Sequence, residues 1–437
     1  GINAPFTDSR IVLYPLVKKI KAAFPDIPVV VGGVLATTLP LQVIRESGAD
    51  IVVKGEGEVA FSRILNGVPL PSIPGLVFKR ADGIIVESPQ RSEQLKTVDQ
   101  IPPPGYHFRP MDEYVKWSPR GDRSDRTLSL ISSRGCPFTC EFCSIPEKGQ
   151  LWRPFTPERV LDEIKTAIEH WGVNHIEFED DNFTLKEPRA LKVLEYLRDL
   201  RLQGHQFSCS FPNGIMIDKM TESLAVLLRE AGADIVYLPV ESGSTQVLLS
   251  MDKPLAGHHL EKTLQVARWC VDAGLFVSCF FIVAYPGGRL NRKYLQDTSL
   301  LETHRDYLLR DGDEVFMRGE DEAGFEETLR FCHRLRGIGV AGITPLIATP
   351  YPGTELYEVC ERFGWLTFED ERDVLTTVSY AAMNPGRVQI ATPWCLQQRA
   401  FERWREMMSM FPTVHNVRKQ GGEDRLLGGA EIRGKNH

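Results

Sequence analysis

Residues 132–146 read S-S-R-G-C-P-F-T-C-E-F-C-S-I-P and bring three cysteines close together. Cys136, Cys140 and Cys143 have the spacing C-x3-C-x2-C, on a predicted loop that follows the apolar run 127–132. Thiolates are the ligands that iron-sulfur clusters require, and this spacing suits three irons of a four-iron cluster. The fourth iron would stay open, so the motif indicates a cluster that binds a ligand rather than one that stores electrons.

A structural zinc site is the alternative interpretation of the three cysteines. Zinc normally takes a fourth Cys or His at short range, and His107 and His170 are both distant in sequence. Phe142, one residue before the last cysteine, completes the pattern C-x3-C-x-aromatic-C. With these residues the chain resembles the radical S-adenosylmethionine (radical SAM) superfamily. The resemblance implies that SAM chelates the open iron and is cleaved to a 5′-deoxyadenosyl radical, which takes a hydrogen atom from the substrate.

The composition is typical of an enzyme with a large core. The chain has 437 residues, of which 42% are hydrophobic, enough for more than one domain. A net charge of -7 argues against nucleic acid as a partner. We see no apolar run long enough to cross a membrane and no signal peptide, and the other six cysteines are scattered singly in apolar segments. We therefore expect a cytoplasmic protein with buried free thiols.

From Thr127 onward, β-branched runs alternate with amphipathic helical segments, a pattern typical of βα units around a parallel sheet. Strands are predicted at 128–132, 174–178, 206–210, 234–240, 276–283 and 342–347. Helices are predicted at 157–171, 186–202, 219–231, 259–273 and 324–336. The fold class is therefore α/β, a partial (β/α)6 TIM barrel with its active site at the carboxyl ends of the strands.

Before the barrel, the runs I-P-V-V-V-G-G and A-D-I-V-V-K-G-E-G-E predict two parallel strands, and a hairpin turned at Asp82-Gly83 follows them. This small α/β region resembles the second half of the Rossmann-like cobalamin-binding domain that precedes many radical SAM barrels. The missing first half normally carries D-x-H-x-x-G, whose His ligates cobalt, and no His here has an Asp two residues before it. Either the domain is a degenerate remnant or the chain was cut. We favour the remnant and expect no bound cobalamin.

These patterns divide the chain into four parts. We expect a degenerate or truncated cobalamin-binding-like domain at 1–97, and a Pro-rich linker at 98–126. The barrel would cover 127–362. A C-terminal cap and tail would cover 363–437, since apolar and aromatic residues become sparse after Phe411.

The second predicted strand ends in I-E-F-E-D-D-N-F-T, which is rich in acids. Acidic residues at a barrel mouth favour a cationic partner, and the ammonium group of SAM would be one. The family resemblance assigns Glu179, Asp180, Asp181 and Asn182 to this amine as a group. A solvated loop with helix-capping acids is the alternative.

Other strand ends supply further candidates for cofactor binding. Glu241 ends an apolar run in V-E-S-G-S, and the resemblance assigns it to the SAM ribose, with Ser242 nearby. The same resemblance brings Asn213, in S-F-P-N-G, towards SAM or substrate. Phe142 joins this set from the cysteine motif. Arg134, just before the cysteines, would face the carboxylate of SAM, or else is a surface residue.

The clearest departure from the family pattern is an insertion at 289–320, between the fifth strand and its helix. It is rich in acids, and we expect it to lie over the barrel mouth as a lid. An acidic lid favours a cationic, polyhydroxylated substrate such as an aminosugar. A solvated charged helix is the alternative.

The first functional hypothesis is a radical SAM enzyme without cobalamin that abstracts hydrogen from a hydroxyl-bearing carbon of an aminosugar. Diol dehydration or deoxygenation would follow, as in the radical SAM diol dehydratases of aminoglycoside antibiotic biosynthesis, which resemble this architecture. The chemistry needs an acid for the leaving hydroxyl and a base for the ketyl proton. The candidate catalytic residues are Asp180, Asp181, His304 and Asp306.

Two other functions stay open. One is a cobalamin-dependent radical SAM C-methyltransferase, which bound cobalamin would establish. The other is an iron-sulfur electron-transfer protein, against which the six-unit barrel and Glu241 argue, because a carrier needs no SAM cleft. The radical reaction requires a one-electron reductase as partner, a flavodoxin, a ferredoxin or a dedicated NAD(P)H-dependent reductase.

Overall fold

The computed structural model describes residues 1–6, 9–108, 110–116, 126–145, 151–253, 259–368 and 388–411. Within these ranges the strands are β1 (Ile2–Asn3), β2 (Val30–Gly32), β3 (Ile51–Val53), β4 (Leu76–Lys79), β5 (Ile85–Glu87), β6 (Thr127–Leu130), β7 (Ser133–Arg134), β8 (Arg153–Pro154), β9 (His175–Phe178), β10 (Ser208–Ser210), β11 (Ile235–Glu241), β12 (Phe276–Val283), β13 (Gly287–Arg289), β14 (Leu308–Asp311), β15 (Glu314–Arg318) and β16 (Gly342–Ile347). The α-helices are α1 (Arg10–Ala23), α2 (Val34–Thr38), α3 (Pro40–Ser47), α4 (Glu58–Leu65), α5 (Met111–Tyr114), α6 (Pro157–Trp171), α7 (Glu187–Leu202), α8 (Glu222–Glu230), α9 (Thr245–Ser250), α10 (His259–Asp272), α11 (Thr298–Thr303), α12 (Glu322–Ile338), α13 (Glu355–Arg362) and α14 (Gln397–Met410).

The chain forms two compact units. The N-terminal unit comprises Gly1–Ile101, Gly135–Leu151 and Thr349–Thr392. The barrel unit comprises Pro102–Arg134, Trp152–Ala348 and Pro393–His437. The cysteine loop, which we define as residues 135–145, therefore belongs to the N-terminal unit. The four-part division predicted from the sequence stays a prediction.

The N-terminal unit is built on one five-stranded sheet in the order β1-β2-β3-β4-β5. The first three strands are parallel, and β4 and β5 are antiparallel to their neighbours, as the predicted hairpin requires. Successive side chains of a strand point to opposite faces. Val31 accordingly packs with Leu13 of α1 and Ile44 of α3, while Val30 packs in a second cluster with Ala60 of α4. Both faces are covered, which explains the unbroken apolar run in β2.

The barrel unit contains six parallel strands that follow one another in chain order. β6, β9 and β10 form one three-stranded sheet, and β11, β12 and β16 form another. A parallel bridge between Cys209 and Ala233 joins β10 to the start of β11. The helices between the strands make this a partial TIM-barrel α/β fold, as the sequence predicts. The carboxyl ends of the six strands lie at one edge of the sheet, where such folds carry their sites.

The insertion begins and ends at neighbouring points of the barrel. The insertion predicted at 289–320 comprises residues 287–319 in the structure. It forms a three-stranded antiparallel sheet in the order β13-β15-β14, with helix α11 between β13 and β14. Gly319 donates its N–H to the Pro286 carbonyl at 3.2 Å, and Glu320 donates to the Tyr285 carbonyl at 2.8 Å. A Cβ on Gly319 would lie 1.9 Å from the Tyr285 oxygen, so this close approach requires glycine. Helix α12 therefore starts directly beside the end of β12.

Helix α14 is attached to the barrel through a buried ion pair. The guanidinium of Arg403 donates to the Glu320 carboxylate at 3.1 Å and to the Glu320 carbonyl at 3.0 Å, and both side chains are at most 1% exposed. The same carboxylate accepts the Ala284 N–H at 2.8 Å. At the surface, Arg403 and Arg399 both bind Glu322. One carboxylate thus holds strand β12, helix α12 and helix α14 together.

Within the described ranges, no helix combines the length and the hydropathy that crossing a bilayer would need.

Replacing Arg403 with Ala should lower the free energy of unfolding by about 3 to 5 kcal/mol at about pH 8, because a buried carboxylate loses its counter-ion. Arg399→Ala is the matched control, since Arg399 is 35% exposed and binds the same Glu322; its loss should cost at most about 1 kcal/mol. Denaturant unfolding of both variants is the measurement. Equal losses of unfolding free energy in the two variants would show that the buried Arg403–Glu320 pair stabilises the protein no more than the exposed Arg399–Glu322 pair.

The cost of Arg403→Ala should also depend on pH. Burial raises the pKa of Glu320 to about 7, against the opposing effect of Arg403. This folded-state pKa lies above the ordinary value of 4.5, so Glu320 takes up a proton on folding between about pH 4.5 and 7, and its contribution to stability declines as the pH rises through this range. Without Arg403 the pKa rises further, and the extra loss should be small near pH 5 and large near pH 8.

Candidate functional site

The cysteine loop directly follows β7 and leaves its three thiols accessible. Cys136, Cys140 and Cys143 are partly exposed, and the N–H of Cys143 donates to the Cys140 carbonyl at 3.1 Å in a tight turn. Between them, the carbonyl of the buried Glu141 accepts the Leu356 N–H of α13 at 3.2 Å within the same unit. The backbone of the loop is therefore anchored at its centre, while the cysteines on either side are partly exposed.

The other six cysteines have a different environment. All nine cysteines lie within the described ranges, where none forms a disulfide. Burial raises the pKa of Cys395 to about 11 and the pKa of Cys270 and Cys332 to about 12, and it raises that of the remaining three further. Such thiols stay protonated and do not bind iron. The donor chemistry that a four-iron cluster needs is therefore concentrated in the cysteine loop.

The three cysteines of the loop do not form a preassembled metal-binding group. No group of three or more His, Cys, Asp or Glu side chains is arranged to hold a metal ion anywhere in the part of the chain that the structure describes. The support for a cluster at Cys136, Cys140 and Cys143 is their spacing, their shared accessibility and their thiol chemistry.

The acidic segment after β9 rests on an aromatic cluster in the barrel unit. The rings of Phe178 and Phe211 are stacked with centroids 5.1 Å apart, and Phe183 lies against Phe211 at 4.7 Å. Because Phe178 precedes the acids and Phe183 follows them, burial of both rings fixes the segment between them at the end of β9. The segment between them is a short loop in which Asp180 and Asn182 are buried and Glu179 and Asp181 are half-buried.

Asp180 is buried in this loop and holds the residues before the cysteines. Its carboxylate accepts the Ser132 N–H at 2.6 Å and the Ser132 hydroxyl at 2.8 Å, and it also accepts the Ser133 hydroxyl. Arg189 donates to the Ser132 carbonyl at 2.6 Å. Burial raises the pKa of Asp180, although these donors and Arg189 oppose the shift. The contacts describe a structural anchor, and the assignment of Asp180 as a catalytic acid stays a prediction.

The neighbours of Asp180 are distributed differently. Asn213 donates to the Glu179 carboxylate at 3.4 Å, which brings together two of the residues predicted to bind SAM. Asn182 is buried, and its backbone carbonyl accepts the Trp152 indole N–H at 3.0 Å. Asp181 is half-buried in the same loop. Strands β9 and β10 thus jointly present Glu179 and Asn213 at the carboxyl edge.

Glu241 ends β11 in an unusual backbone conformation. Its φ of 65° is left-handed, which is uncommon for a residue with a side chain and is typical of functional sites. The carboxylate is buried and accepts a hydrogen bond from Lys253 Nζ at 2.8 Å. Lys253 Nζ also donates to the Pro239 carbonyl at 2.6 Å. The sequence analysis did not identify Lys253 as a partner of Glu241. Its only sequence feature was its position, as a charged residue just after a short buried helix.

Ser242 and Arg134 have contacts of their own. The hydroxyl of Ser242 lies 3.1 Å from that of Thr328 in α12 and accepts the Ser244 N–H, which ties the turn after β11 to that helix. Arg134 is half-buried, and its backbone pairs with Arg153 between β7 and β8. The roles predicted for both residues in SAM binding stay predictions.

The insertion carries the two remaining candidates, His304 and Asp306. His304 Nδ1 lies 3.0 Å from the carbonyl oxygen of Leu300 in its own helical turn, and Asp306 is exposed. The insertion packs against α9 through a shared apolar core. The structure records no contact of His304 or Asp306 with Asp180 among the described residues, and the catalytic roles of His304, Asp306 and Asp181 stay predictions.

A second edge with room for a ligand lies in the N-terminal unit. Gly32 ends β2, and Gly57 follows β3 just before α4. A Cβ built on either glycine meets nothing within 4 Å. Ligands of open parallel sheets bind at the carboxyl ends of the strands, so these glycines leave space where a ligand would approach the backbone.

Comparison with known proteins gives two family matches. The radical SAM superfamily matches residues 130–292, and the B12 binding domain matches residues 1–65. An uncharacterized methyltransferase of Pyrococcus horikoshii is 31% identical, covering 82% of this chain and 68% of that protein. The cytidylyl-2-hydroxyethylphosphonate methyltransferase of Streptomyces wedmorensis is 26% identical, covering 96% of this chain and 75% of that protein.

Among solved structures, the cobalamin-dependent SAM radical enzyme OxsB, bound to aqua-cobalamin and SAM, aligns with a TM-score of 0.61. It is 16% identical, and the alignment covers 92% of this chain but 56% of OxsB. The chain therefore spans a little over half of that structure, and the likeness concerns the fold alone.

These matches correct the expectation that no cobalamin is bound. The B12 binding domain matches residues 1–65, although that stretch contains no histidine. The sequence argument did note the resemblance to a cobalamin-binding domain, but it gave more weight to the missing first half and its D-x-H-x-x-G motif. The prediction of a lyase or dehydratase of aminoglycoside biosynthesis also has no support, since the relatives reported above are named methyltransferases.

The cysteines should separate into two classes when the iron-free protein is treated with iodoacetamide under native conditions. Cys136, Cys140 and Cys143 should be alkylated, because they are accessible, and the six buried thiols should be protected. Peptide mass spectrometry is the measurement, and reconstitution with iron and sulfide should protect the three loop cysteines. Rapid alkylation of the fully buried Cys279, or no protection after reconstitution, would contradict this assignment.

Proposed function

Because the chain belongs to the radical SAM superfamily and carries a B12-binding domain, we propose that it is a cobalamin-dependent radical SAM methyltransferase that methylates a carbon of a small molecule. The match of residues 1–65 to the B12 binding domain is the observation that carries the proposal. Both named relatives are methyltransferases, which supports the transfer of a methyl group as the outcome. The specific substrate, including the aminosugar suggested by the acidic insertion, stays a prediction.

The residues of the N-terminal unit fit a large, flat cofactor. The carboxyl edge of β2 and β3 carries Gly32 and Gly57, whose missing side chains leave open space, and Gly33 and Gly55, whose φ values of 97° and 90° require glycine. Apolar clusters on both faces make the sheet a rigid support for this edge. Bound cobalamin would supply the methyl group. The chain's own contribution is a backbone surface that such a ligand can approach closely.

In the cysteine loop and the barrel unit, the donor sets fit a cluster and SAM. Cys136, Cys140 and Cys143 would hold the cluster, and the cluster with SAM would supply the radical that activates the substrate. Glu241 offers a buried, negatively charged acceptor that could bind hydroxyl groups, and Glu179 with Asn213 offers a second polar pair at the neighbouring strand ends. An external one-electron donor is required by this chemistry, and its identity among flavodoxin, ferredoxin and NAD(P)H-dependent reductases stays a prediction.

The proposal predicts that the protein, expressed with abundant cobalamin, purifies with a corrinoid as well as iron and sulfide. Gly32→Val should lower the corrinoid content severalfold without loss of stability, because the added side chain enters open space at the ligand edge. Gly337→Val is the control, since a Cβ there also meets nothing within 4 Å, but in helix α12 of the barrel unit. Visible absorbance and thermal unfolding are the measurements. Full corrinoid binding by Gly32→Val would remove this edge from the site.

The reaction itself is tested by anaerobic incubation of the reconstituted enzyme with SAM, a reductant and candidate substrates. A product heavier by one methylene is expected in mass spectrometry, and its carbon attachment can be assigned by NMR. A dehydrated product, lighter by one water, would instead restore the first hypothesis drawn from the sequence. Formation of product without any bound corrinoid would also refute the proposed use of cobalamin.

Glu241→Gln should weaken SAM binding about tenfold, because a charged acceptor for hydroxyl groups becomes a neutral one, a loss of about 1 to 2 kcal/mol. Glu179→Gln in the partly exposed pair with Asn213 provides a comparison within the same barrel edge. Titration with SAM is the measurement. Unchanged affinity in Glu241→Gln would exclude Glu241 from the SAM site.

A further inference from the structure

The insertion is joined to helix α9, which follows strand β11 and Glu241. Leu249 of α9 belongs to the same buried apolar cluster as Leu290, Val315 and Met317 of the insertion. The side-chain amide of Gln246 also donates to the Arg318 carbonyl at the insertion's end. The insertion therefore packs on α9 rather than forming a separate flap.

The end of α9 is held by a polar contact with the insertion. Asp252 is buried, and its carboxylate accepts the Asn291 side-chain amide at 3.1 Å and Lys293 Nζ at 3.4 Å. Asn291 is itself fixed, because its side-chain oxygen accepts the Lys293 N–H at 3.1 Å. Lys293 is about half exposed, so its ion pair is screened by solvent, and Asn291 makes the larger contribution.

Asp252 ends helix α9 in a turn in which the Lys253 N–H donates to the Leu248 carbonyl at 3.4 Å and the Asp252 N–H donates to the Leu249 carbonyl at 3.3 Å. Its φ of 45° is left-handed, a region that L residues enter rarely and that Asp and Asn tolerate better than most. The next residue is Lys253, whose side chain turns back to bind Glu241 and the Pro239 carbonyl. A right-handed residue at 252 would send the chain in another direction. The conformation of Asp252 thus determines whether Lys253 reaches Glu241.

We propose that Asn291, supported by Lys293, is a positioning residue of the insertion that holds Asp252 in its left-handed conformation and so directs Lys253 onto Glu241. The contact links the inserted sheet to the strand end where SAM binding is proposed. This inference rests on the proposed function for its effect on SAM, but the geometry of Lys253 can be tested without any cofactor. Asn291 then contributes to the binding site even though its own side chain is not required to touch SAM.

The first test measures the environment of Lys253 directly. In the iron-free wild-type protein, Lys253 should resist acetylation by acetic anhydride, because its side chain is 10% exposed and bound to Glu241. Asn291→Ala should raise its acetylation rate at least about fivefold, in line with the loss of a hydrogen bond to a charged group. Arg310→Ala is the matched control, an exposed position of the same inserted sheet. Protection of the fully buried Cys279 from alkylation reports that the barrel stays folded.

Two further variants separate the contact from the backbone conformation. Asp252→Gly permits a left-handed residue but removes the acceptor for Asn291, and it should expose Lys253. Asp252→Asn keeps both the tolerance for this conformation and an acceptor oxygen, so it should largely preserve the protection. The exchange of Asp252→Asn together with Asn291→Asp restores a hydrogen bond of reversed polarity and should protect Lys253 better than Asn291→Ala does.

Titration with SAM then connects the contact to the site. Asn291→Ala should weaken SAM binding about fivefold, less than Glu241→Gln, and Arg310→Ala should leave it unchanged. If Glu241→Gln weakens SAM binding and Asn291→Ala changes neither SAM affinity nor Lys253 acetylation, the positioning proposal is wrong and the SAM site stands. If Glu241→Gln has no effect on SAM while Asn291→Ala exposes Lys253, the contact is confirmed and the assignment of Glu241 to SAM is wrong.

Discussion

The carboxylate of Glu320 is the point on which the barrel unit depends most. It accepts the N–H of Ala284 at the end of β12, and it holds Arg403 of α14 without access to solvent. A buried carboxylate is costly unless it is paired and hydrogen-bonded, so strand, helix and carboxylate must be assembled together. Glu320 also directly follows the last residue of the insertion, and the next residue, Asp321, caps α12 by accepting the Gly324 N–H at 3.0 Å. The end of β12, the fifth strand of the barrel, is therefore held in place by more than one contact.

Much of the barrel is predictable from the sequence because its strands are buried on both faces. Strand β12 was predicted at 276–283, and the structure has the same bounds, since F-V-S-C-F-F-I-V is a nearly continuous apolar run between two helices. The strands of the insertion were missed. Strand Leu308–Asp311 has two half-buried leucines followed by the exposed Arg310 and Asp311, and nothing local distinguishes such a short antiparallel strand from a solvated loop.

The candidate site shows the same division. The three cysteines are predicted as cluster ligands from their spacing alone, because such a cluster takes its ligands from one short loop, and this assignment stays a prediction. The burial of Asp180 could not be seen in E-F-E-D-D-N-F, since it depends on Ser132 and Ser133, nearly fifty residues earlier. Lys253 was missed for a related reason. Whether its side chain reaches Glu241 depends on the direction that the chain takes after α9, which the local sequence does not reveal. The expectation of no cobalamin is contradicted by the match of residues 1–65 to the B12 binding domain, because it inferred the loss of a ligand from the absence of one histidine motif.

The meeting of the two ends of the insertion at Pro286 and Gly319 has a consequence for how such a barrel can vary. The two ends of the insertion meet at one place after β12. A segment inserted in this way can change in length or sequence without altering the path of the six strands. Loop-closure entropy grows slowly with length, so larger inserts add little to the cost of folding. The junction is thus an attachment point after β12. Evolution or engineering can exchange the inserted module there while the six strands and the carboxyl edge of the sheet stay the same.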